Sequence, residues 1–268
     1  MTVTKLLPDS LWQLIEPLLP ALPARGPQGG RPPVPHRNCL TGILYVLWSG
    51  VPWEMVPLAA GWGSGVTCWR RLQAWQAAGV WEELHFVALD WLAREGRIDW
   101  GMAALDSSSV RAVGAGAATG PKPTDRAKPG SKRHVAVDGD GVPLAVILTG
   151  ANRHDSQEAV PLLDAIPPLV GPHGGRPRQR PAAVLGDAAY GTAANRAAAR
   201  QRGIVPLLAQ PRREHGSGLG QWRWVVERTM AFLNHFRRLR VRYERKTALH
   251  EAFLHLACAV ICCRILDN

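Results

Sequence analysis

No run of apolar residues in this chain approaches the ~20 needed to cross a bilayer; the longest, Ala252 to Cys263, is about a dozen and contains His255. That excludes a membrane partner of the spanning kind. No charged segment followed by an apolar one opens the chain, so no secretory signal is read. The cysteines are few and odd in number (Cys39, Cys68, Cys258, Cys262, Cys263), which argues against a disulfide framework and for reduced thiols in a cytoplasmic protein. Nucleotide-binding loops are missing too. Gly114, Gly116 and Gly120 lack the dinucleotide-loop spacing, and Gly130-Ser131-Lys132 is not a phosphate loop. No G-x-S-x-G elbow exists, and Ser107 to Ser109 have no visible base. There are no internal repeats.

What is present is positive charge. Thirty-two Lys and Arg against twenty-one Asp and Glu give a net +11 and a pI near 10.2. A typical metabolite enzyme is not this basic; an anionic polymer or surface is the expected partner. With 46% hydrophobic residues and eleven Trp, the chain has enough for a real core and is no disordered basic tail. The excess is local. Residues 1–100 carry eight basic and eight acidic side chains, whereas residues 211–268 carry eleven and five.

The first hundred residues read as helical. Leu11, Leu14, Ile15 and Leu18 repeat at helical spacing, a proline linker runs from Pro20 to Pro35, and helices follow over Asn38–Trp48, Val66–Ala77 and Val80–Ala93. The break Gly61–Gly65, followed by Arg70, Arg71, Gln73 and Gln76, allows a helix-turn-helix reader or a Trp-rich bundle with a solvated face. After Gly101 the pattern becomes β-type. Met102–Val110, Lys132–Val137 and Pro143–Leu148 are strands, with a hairpin signal at Asp138-Gly139-Asp140-Gly141. Helix and strand then alternate: Asp155–Ile166, Ala182–Leu185, Ala193–Arg202, Ile204–Leu208, Trp222–Arg238 and Ala248–Leu266. The Gly-rich stretch Gly216–Gly220 precedes the fifth of these. The fold class is α/β, a mixed sheet flanked by helices, with an all-helical region at 1–98 ahead of a sheet domain at 99–268.

Three acids hold distinctive positions. Asp106 lies in the first strand, Asp187 ends the fourth, and Glu227 sits inside a long helix. Caps, turns and surface pairs explain most such acids, as turn chemistry explains Asp138 and Asp140 and a helix cap explains Asp155. If the three converge, their repulsion calls for divalent cations, and oxygen ligands favour Mg²⁺ or Mn²⁺. Two such ions clamp the oxygens of an in-line displacement at phosphorus, and a basic protein would apply that to a nucleic-acid phosphodiester. A second candidate, His255 with Cys258 and Cys262, occupies one helix face; three ligands on one straight helix cannot surround zinc, so these read as packed core residues. The dense cation run Arg237, Arg238, Arg240, Arg242, Arg245 and Lys246 has one interleaved acid and reads as a phosphate track.

The segments Leu105-Asp106-Ser107-Ser108-Ser109-Val110-Arg111, Pro129-Gly130-Ser131-Lys132, Leu148-Thr149-Gly150-Ala151-Asn152-Arg153-His154-Asp155 and Trp224-Val225-Val226-Glu227-Arg228-Thr229 resemble DDE-type insertion-sequence transposases. Among these the chain is similar to the insertion sequence five group, within the insertion sequence four-like superfamily. Gly79-Val80-Trp81 and the run from Phe236 to Arg245 share the likeness, which covers nearly the whole chain. The resemblance implies an RNase H-like core, with Asp106, Asp187 and Glu227 as the catalytic and metal-binding triad and two Mg²⁺ ions, or Mn²⁺ in their place. It implies cleavage at insertion-sequence ends and 3′-hydroxyl strand transfer. A nuclease that does not join strands, and an inactive DNA-binding protein, are the alternatives. The expected partners are double-stranded DNA, as terminal inverted repeats and target, and a second copy of the chain in a homodimeric synaptic complex. DNA contact is expected from Arg223, Arg228, Lys132, Arg70 and Arg71 as well as the cation run. The wider family often shows Tyr-x2-Arg-x3-Glu-x6-Lys/Arg around the third acid; Arg223 and Glu227 match, Gly220 stands at the Tyr position and Asn234 at the last. Arg237 or Arg238 is then expected to supply that last cation.

Overall fold

The computed structural model describes residues 6–22, 29, 32–210 and 220–267. Most of Gly216–Gly220 and the middle of the proline linker lie outside them. Four helices come first: α1 Asp9–Ile15, α2 His36–Ser49, α3 Gly65–Ala77 and α4 Val80–Arg94. Ser64 caps α3 by accepting the Thr67 N–H at 3.2 Å, and Gly79 at φ +74° makes the tight turn into α4. Two 3₁₀ turns, Trp53–Met55 and Leu58–Ala60, separate α2 from α3. That connection is far longer than the 3–4-residue turn of a helix-turn-helix, so the Gly61–Gly65 break does not join such a pair.

The sheet is built from β1 Met102–Ala112, β2 Gly120–Pro121, β3 Pro129–Asp138, β4 Pro143–Gly150, β5 Ala183–Gly186, β6 Val205–Leu208 and β7 Val241–Arg242. The long strands run in the order β4-β3-β1-β5-β6, with β2 on β3 and β7 on β1. β3 is antiparallel to β1 and to β4, whereas β5 is parallel to β1 and β6 to β5. A three-stranded meander extended by two parallel crossover strands is the RNase H-like arrangement expected. The meander closes through Asp138, whose Oδ1 accepts the Val142 and Asp140 N–H groups at 2.8 and 3.0 Å, while Gly141 takes φ +84°.

Helices cover the sheet: α5 Ala159–Asp164, α6 Ala193–Gln201, α7 Gly220–His235 and α8 Thr247–Leu266. The helix expected from Asp155 divides into a 3₁₀ turn, Asp155–Gln157, and the shorter α5. α7 stops at His235 rather than Arg238; a 3₁₀ turn, Arg237–Leu239, follows, with Phe236 and Leu239 buried and Phe236 against Trp48 at 4.2 Å between ring centroids. α8 is apolar on nearly all sides and is the central helix, packed mainly on α4, with α1, α3, α7 and β4 around it. By length and composition it could cross a membrane, but 72% of its most apolar window is buried inside the protein. Cys258, Cys262 and Cys263 are buried free thiols on it. One hydrophobic core therefore runs from Leu6 through the sheet to Cys263, across the boundary expected at 98/99.

Candidate nucleic-acid active site

The site starts from the middle strand. β1 is bonded on both sides, so its residues are fixed by neighbouring ladders, and Asp106 lies opposite Val135 of β3. On the other side the parallel register matches Ala103 with Val184 and Ala104 with Leu185. Continued two residues, it brings Asp187, the residue after β5, level with Asp106. Gly186 just before it has no room for a side chain: an added Cβ would meet Leu208 at 2.9 Å and Tyr190 at 3.1 Å. Just beyond it the Asp187 carboxylate accepts the Ala189 N–H at 2.9 Å, within a turn closed by the Tyr190 N–H on the Asp187 carbonyl at 3.1 Å.

The third acid comes from α7, which packs over β1. The Ser108 hydroxyl meets the Met230 sulfur at 3.7 Å, and Arg133 of β3 donates to Asn234. Arg223, Glu227, Met230 and Asn234 share one helical face. That face points at β1, so Glu227 and Arg223 overhang Asp106. Burial pushes the Asp106 carboxyl above its ordinary range; the Ser107 N–H (2.8 Å) and the Arg223 charge pull it down, and Asp187 and Glu227 push it further up. The three carboxylates thus share one electrostatic field. Among the described residues no three His, Cys, Asp or Glu side chains stand close enough to hold one ion. The chemistry of the three carboxylates fits a hard divalent cation: all-oxygen donors, like charges within one field, and a half-buried carboxyl whose ionised form a cation would favour.

Behind Asp106, on the opposite face of the strand, lies a polar layer that the sequence reading missed. Asp155 was expected to be a helix cap. Instead its Oδ1 accepts the Ser107 hydroxyl at 2.8 Å and the Lys132 ammonium at 3.0 Å, and His154 does the capping. His134 of β3 joins the layer, bonded to Thr149 at 2.9 Å and 3.7 Å from Asp155; burial pushes it down to about 4, so it is neutral. The buried Tyr190 ring lies within the field of Asp155, Asp106 and Asp187. The signal for it in the sequence is Lys132-Arg133-His134, three successive basic side-chain types in a strand that continues as Val135-Ala136-Val137.

Two family models match the chain. One described as "Transposase DDE domain" covers residues 102–262, and one described as "Putative transposase of IS4/5 family" covers residues 7–85. The chain belongs to the DDE transposases of the IS4/IS5 family. A protein of Burkholderia cepacia named "Putative transposase for insertion sequence element IS402" is 58% identical over 144 residues, 54% of this chain and 68% of its own length. The "Insertion element IS402 uncharacterized 16.2 kDa protein" of the same organism is 56% identical over 116 residues, 43% of this chain and 79% of its own.

In this DDE transposase the expected DNA-contacting cations divide sharply. Arg70, Arg237, Arg240, Arg245 and Lys246 are exposed, and Arg71 and Arg223 are half-buried. Arg228 is half-buried as well, held by the Asp140 carbonyl and stacked 4.6 Å from the Trp224 ring centre. Three expectations are corrected. Arg238 is buried, its guanidinium clasping Glu244 Oε1 at 2.8 and 2.7 Å and reaching the Val51 carbonyl at 3.1 Å. Arg242 is fully buried and donates to the carbonyls of Ala117, Ala118, Glu244 and Arg245 and to the Ser131 and Thr247 hydroxyls. Lys132 is taken up by Asp155 and the Arg153 carbonyl. Arg238 and Arg242 serve the fold, because they satisfy buried or part-buried acceptors, and Lys132 is committed to its ion pair with Asp155.

Proposed function

We propose that the chain is an active DDE transposase that cuts the phosphodiester at insertion-sequence ends and joins the freed 3′-hydroxyl to target DNA. The observation that carries this reading is the shared field at Asp106: a half-buried carboxyl on the central strand, opposed by Asp187 and Glu227 and attended by Arg223. Asp106, Asp187 and Glu227 are the residues that would hold divalent ions, Mg²⁺ or Mn²⁺. Such ions supply positive charge to the attacking and leaving oxygens of a phosphodiester. The chain's own residues do the rest. The Ser107 N–H fixes one Asp106 oxygen, and Asp155 fixes Ser107 through its hydroxyl. Arg223, one helical turn before Glu227, is placed to bind a phosphate oxygen of the cut strand. The exposed cations Arg237, Arg240, Arg245 and Lys246 continue that contact along the duplex. The helical region supplies Arg70 and Arg71 on α3 for the element end, and two copies of the chain bring two ends together.

The test is a cleavage and strand-transfer assay on linear duplex carrying the element's ends, with Asp106→Asn beside the wild type. The variant should bind the duplex and neither cut nor join it. Cutting by the variant removes Asp106 from the chemistry. Cutting without joining by the wild type favours the simple nuclease, and binding without cutting favours the inactive DNA-binding protein.

A further inference from the structure

Arg133 is a cation buried beneath the site, 1% exposed, with no carboxylate paired to it among the described residues. Its Nε donates to the Ser108 hydroxyl at 2.6 Å, one Nη donates to the side-chain oxygen of Asn234, and the other Nη has no partner. A buried charge satisfied only by neutral acceptors is expensive to keep, and an apolar side chain of similar volume would serve the core better. Burial even lowers its pKa to about 10. What the guanidinium offers instead is a planar fork of fixed geometry.

The two ends of that fork are telling. Ser108 faces Arg133 across the β1–β3 ladder and lies two residues beyond Asp106, on the same face of the same strand. Asn234 lies seven residues beyond Glu227, two turns along the face of α7 that carries Arg223 and Glu227. Arg133 is therefore tied to the element bearing the first acid and to the element bearing the third. From the outer side Arg240 donates to the Asn234 backbone carbonyl at 2.6 Å, so position 234 is gripped twice.

We propose that Arg133, through Ser108 and Asn234, is a positioning residue that sets the distance of Glu227 from Asp106. This rests on the transposase reading of the site and adds to it a part remote from the reacting atoms. Glu227 is the one acid of the three carried on a helix rather than by the sheet, so its distance from Asp106 depends on how α7 is held over β1.

Asn234→Ala is the sharpest probe, because position 234 is exposed, Ala is a good helix former, and only the acceptor is removed. Cleavage of end-bearing duplex should fall about 10–100-fold, the usual effect of removing a group that orients a metal ligand, with duplex affinity unchanged. Asn234→Asp, which gives Arg133 a carboxylate, should restore most of the rate. In a double-mutant cycle with Ser108→Ala the losses should be less than multiplicative, since both act through Arg133. Hydrogen exchange of α7 amides, read without any catalysis, should speed up in Asn234→Ala and return to the wild-type rate in Asn234→Asp. Unchanged α7 exchange overturns the clamp even if the wild type proves inert, an outcome that would separately defeat the transposase reading. Multiplicative losses, or a loss of DNA affinity equal to the loss of rate, overturn it as well.

Discussion

Arg237 and Arg238 are neighbours in sequence and opposites in the structure, and this makes a demanding test. Arg238 holds Glu244 by two bonds in a place where both side chains are nearly sealed, 7% and 3% exposed. Burial pushes the Glu244 carboxyl up, but His250 and Arg238 outweigh it and hold the group below its ordinary range, so it is ionised. Glu244→Gln leaves the Arg238 charge buried without a counter-charge, a change that costs about 3–5 kcal/mol. For a domain of this size about 2–4 °C accompany each kcal/mol, so the melting temperature should fall by roughly 6–20 °C. Arg238→Met should give a loss of similar size by stranding Glu244. Arg237→Ala should leave the melting temperature within about 1–2 °C, as exposed substitutions usually do. The DNA assay should invert the order. Each phosphate contact adds about 0.9 to the slope of log affinity against log salt. Arg237→Ala should lower that slope by about 0.9, and Arg240→Ala and Arg245→Ala likewise, whereas Arg238→Met, measured well below its melting point, should leave it unchanged. If Arg238→Met lowers the slope and keeps the melting temperature, the burial argument fails.

Other consequences can be checked with standard assays. Asp155→Ala frees the Ser107 hydroxyl and strands Lys132; single-turnover cleavage should drop about 10-fold or more with duplex affinity retained, and equal rates would remove Asp155 from the support of Asp106. Acid should destabilise the protein in a defined window. Burial lowers His85 to about 3 and His134 and His255 to about 4. Between there and the ordinary value near 6.5 the unfolded chain takes up protons that the folded chain refuses, so stability should fall as pH drops through about 6.5 toward 4. Flat urea midpoints over that range would contradict the burial of these rings. Phe253→Ala, deep in α8 and stacked on Trp53, should cost about 3–5 kcal/mol and leave a single cooperative transition. Two separated transitions would show that the helical region and the sheet are independent.

Several elements were readable from local chemistry alone. The hairpin at Asp138–Gly141 follows from turn residues between alternating strands, and α7 and α8 from apolar spacing. The two-residue strands β2 and β7 were not readable, since they exist only because β1 and β3 offer edges to them. Asp106 and Asp187 stood out as charges beside apolar strand residues, yet their side-by-side placement depends on a parallel register, which no local pattern specifies. The cation run illustrates the hardest case. A string of arginines looks the same whether it is solvated or folded onto carbonyls, and only the carbonyls of Ala117 and Ala118, more than a hundred residues earlier, reveal which Arg242 is. Asp155 was misread for a related reason: a carboxylate before a helix is usually a cap, and its real partners, Ser107 and Lys132, come from two strands.

The place of α8 has a bearing on synthesis. Its side chains complete the packing of α4, yet about 150 residues separate the two helices in the chain, and the whole sheet is translated between them. A nascent chain therefore carries the apolar faces of its leading helices uncovered until Thr247–Leu266 has been made. A polypeptide halted earlier, by a frameshift or a stop codon, lacks the piece around which its own leading helices close. Truncated copies of the gene should then yield products cleared by proteolysis rather than stable fragments that occupy element ends and block the intact enzyme.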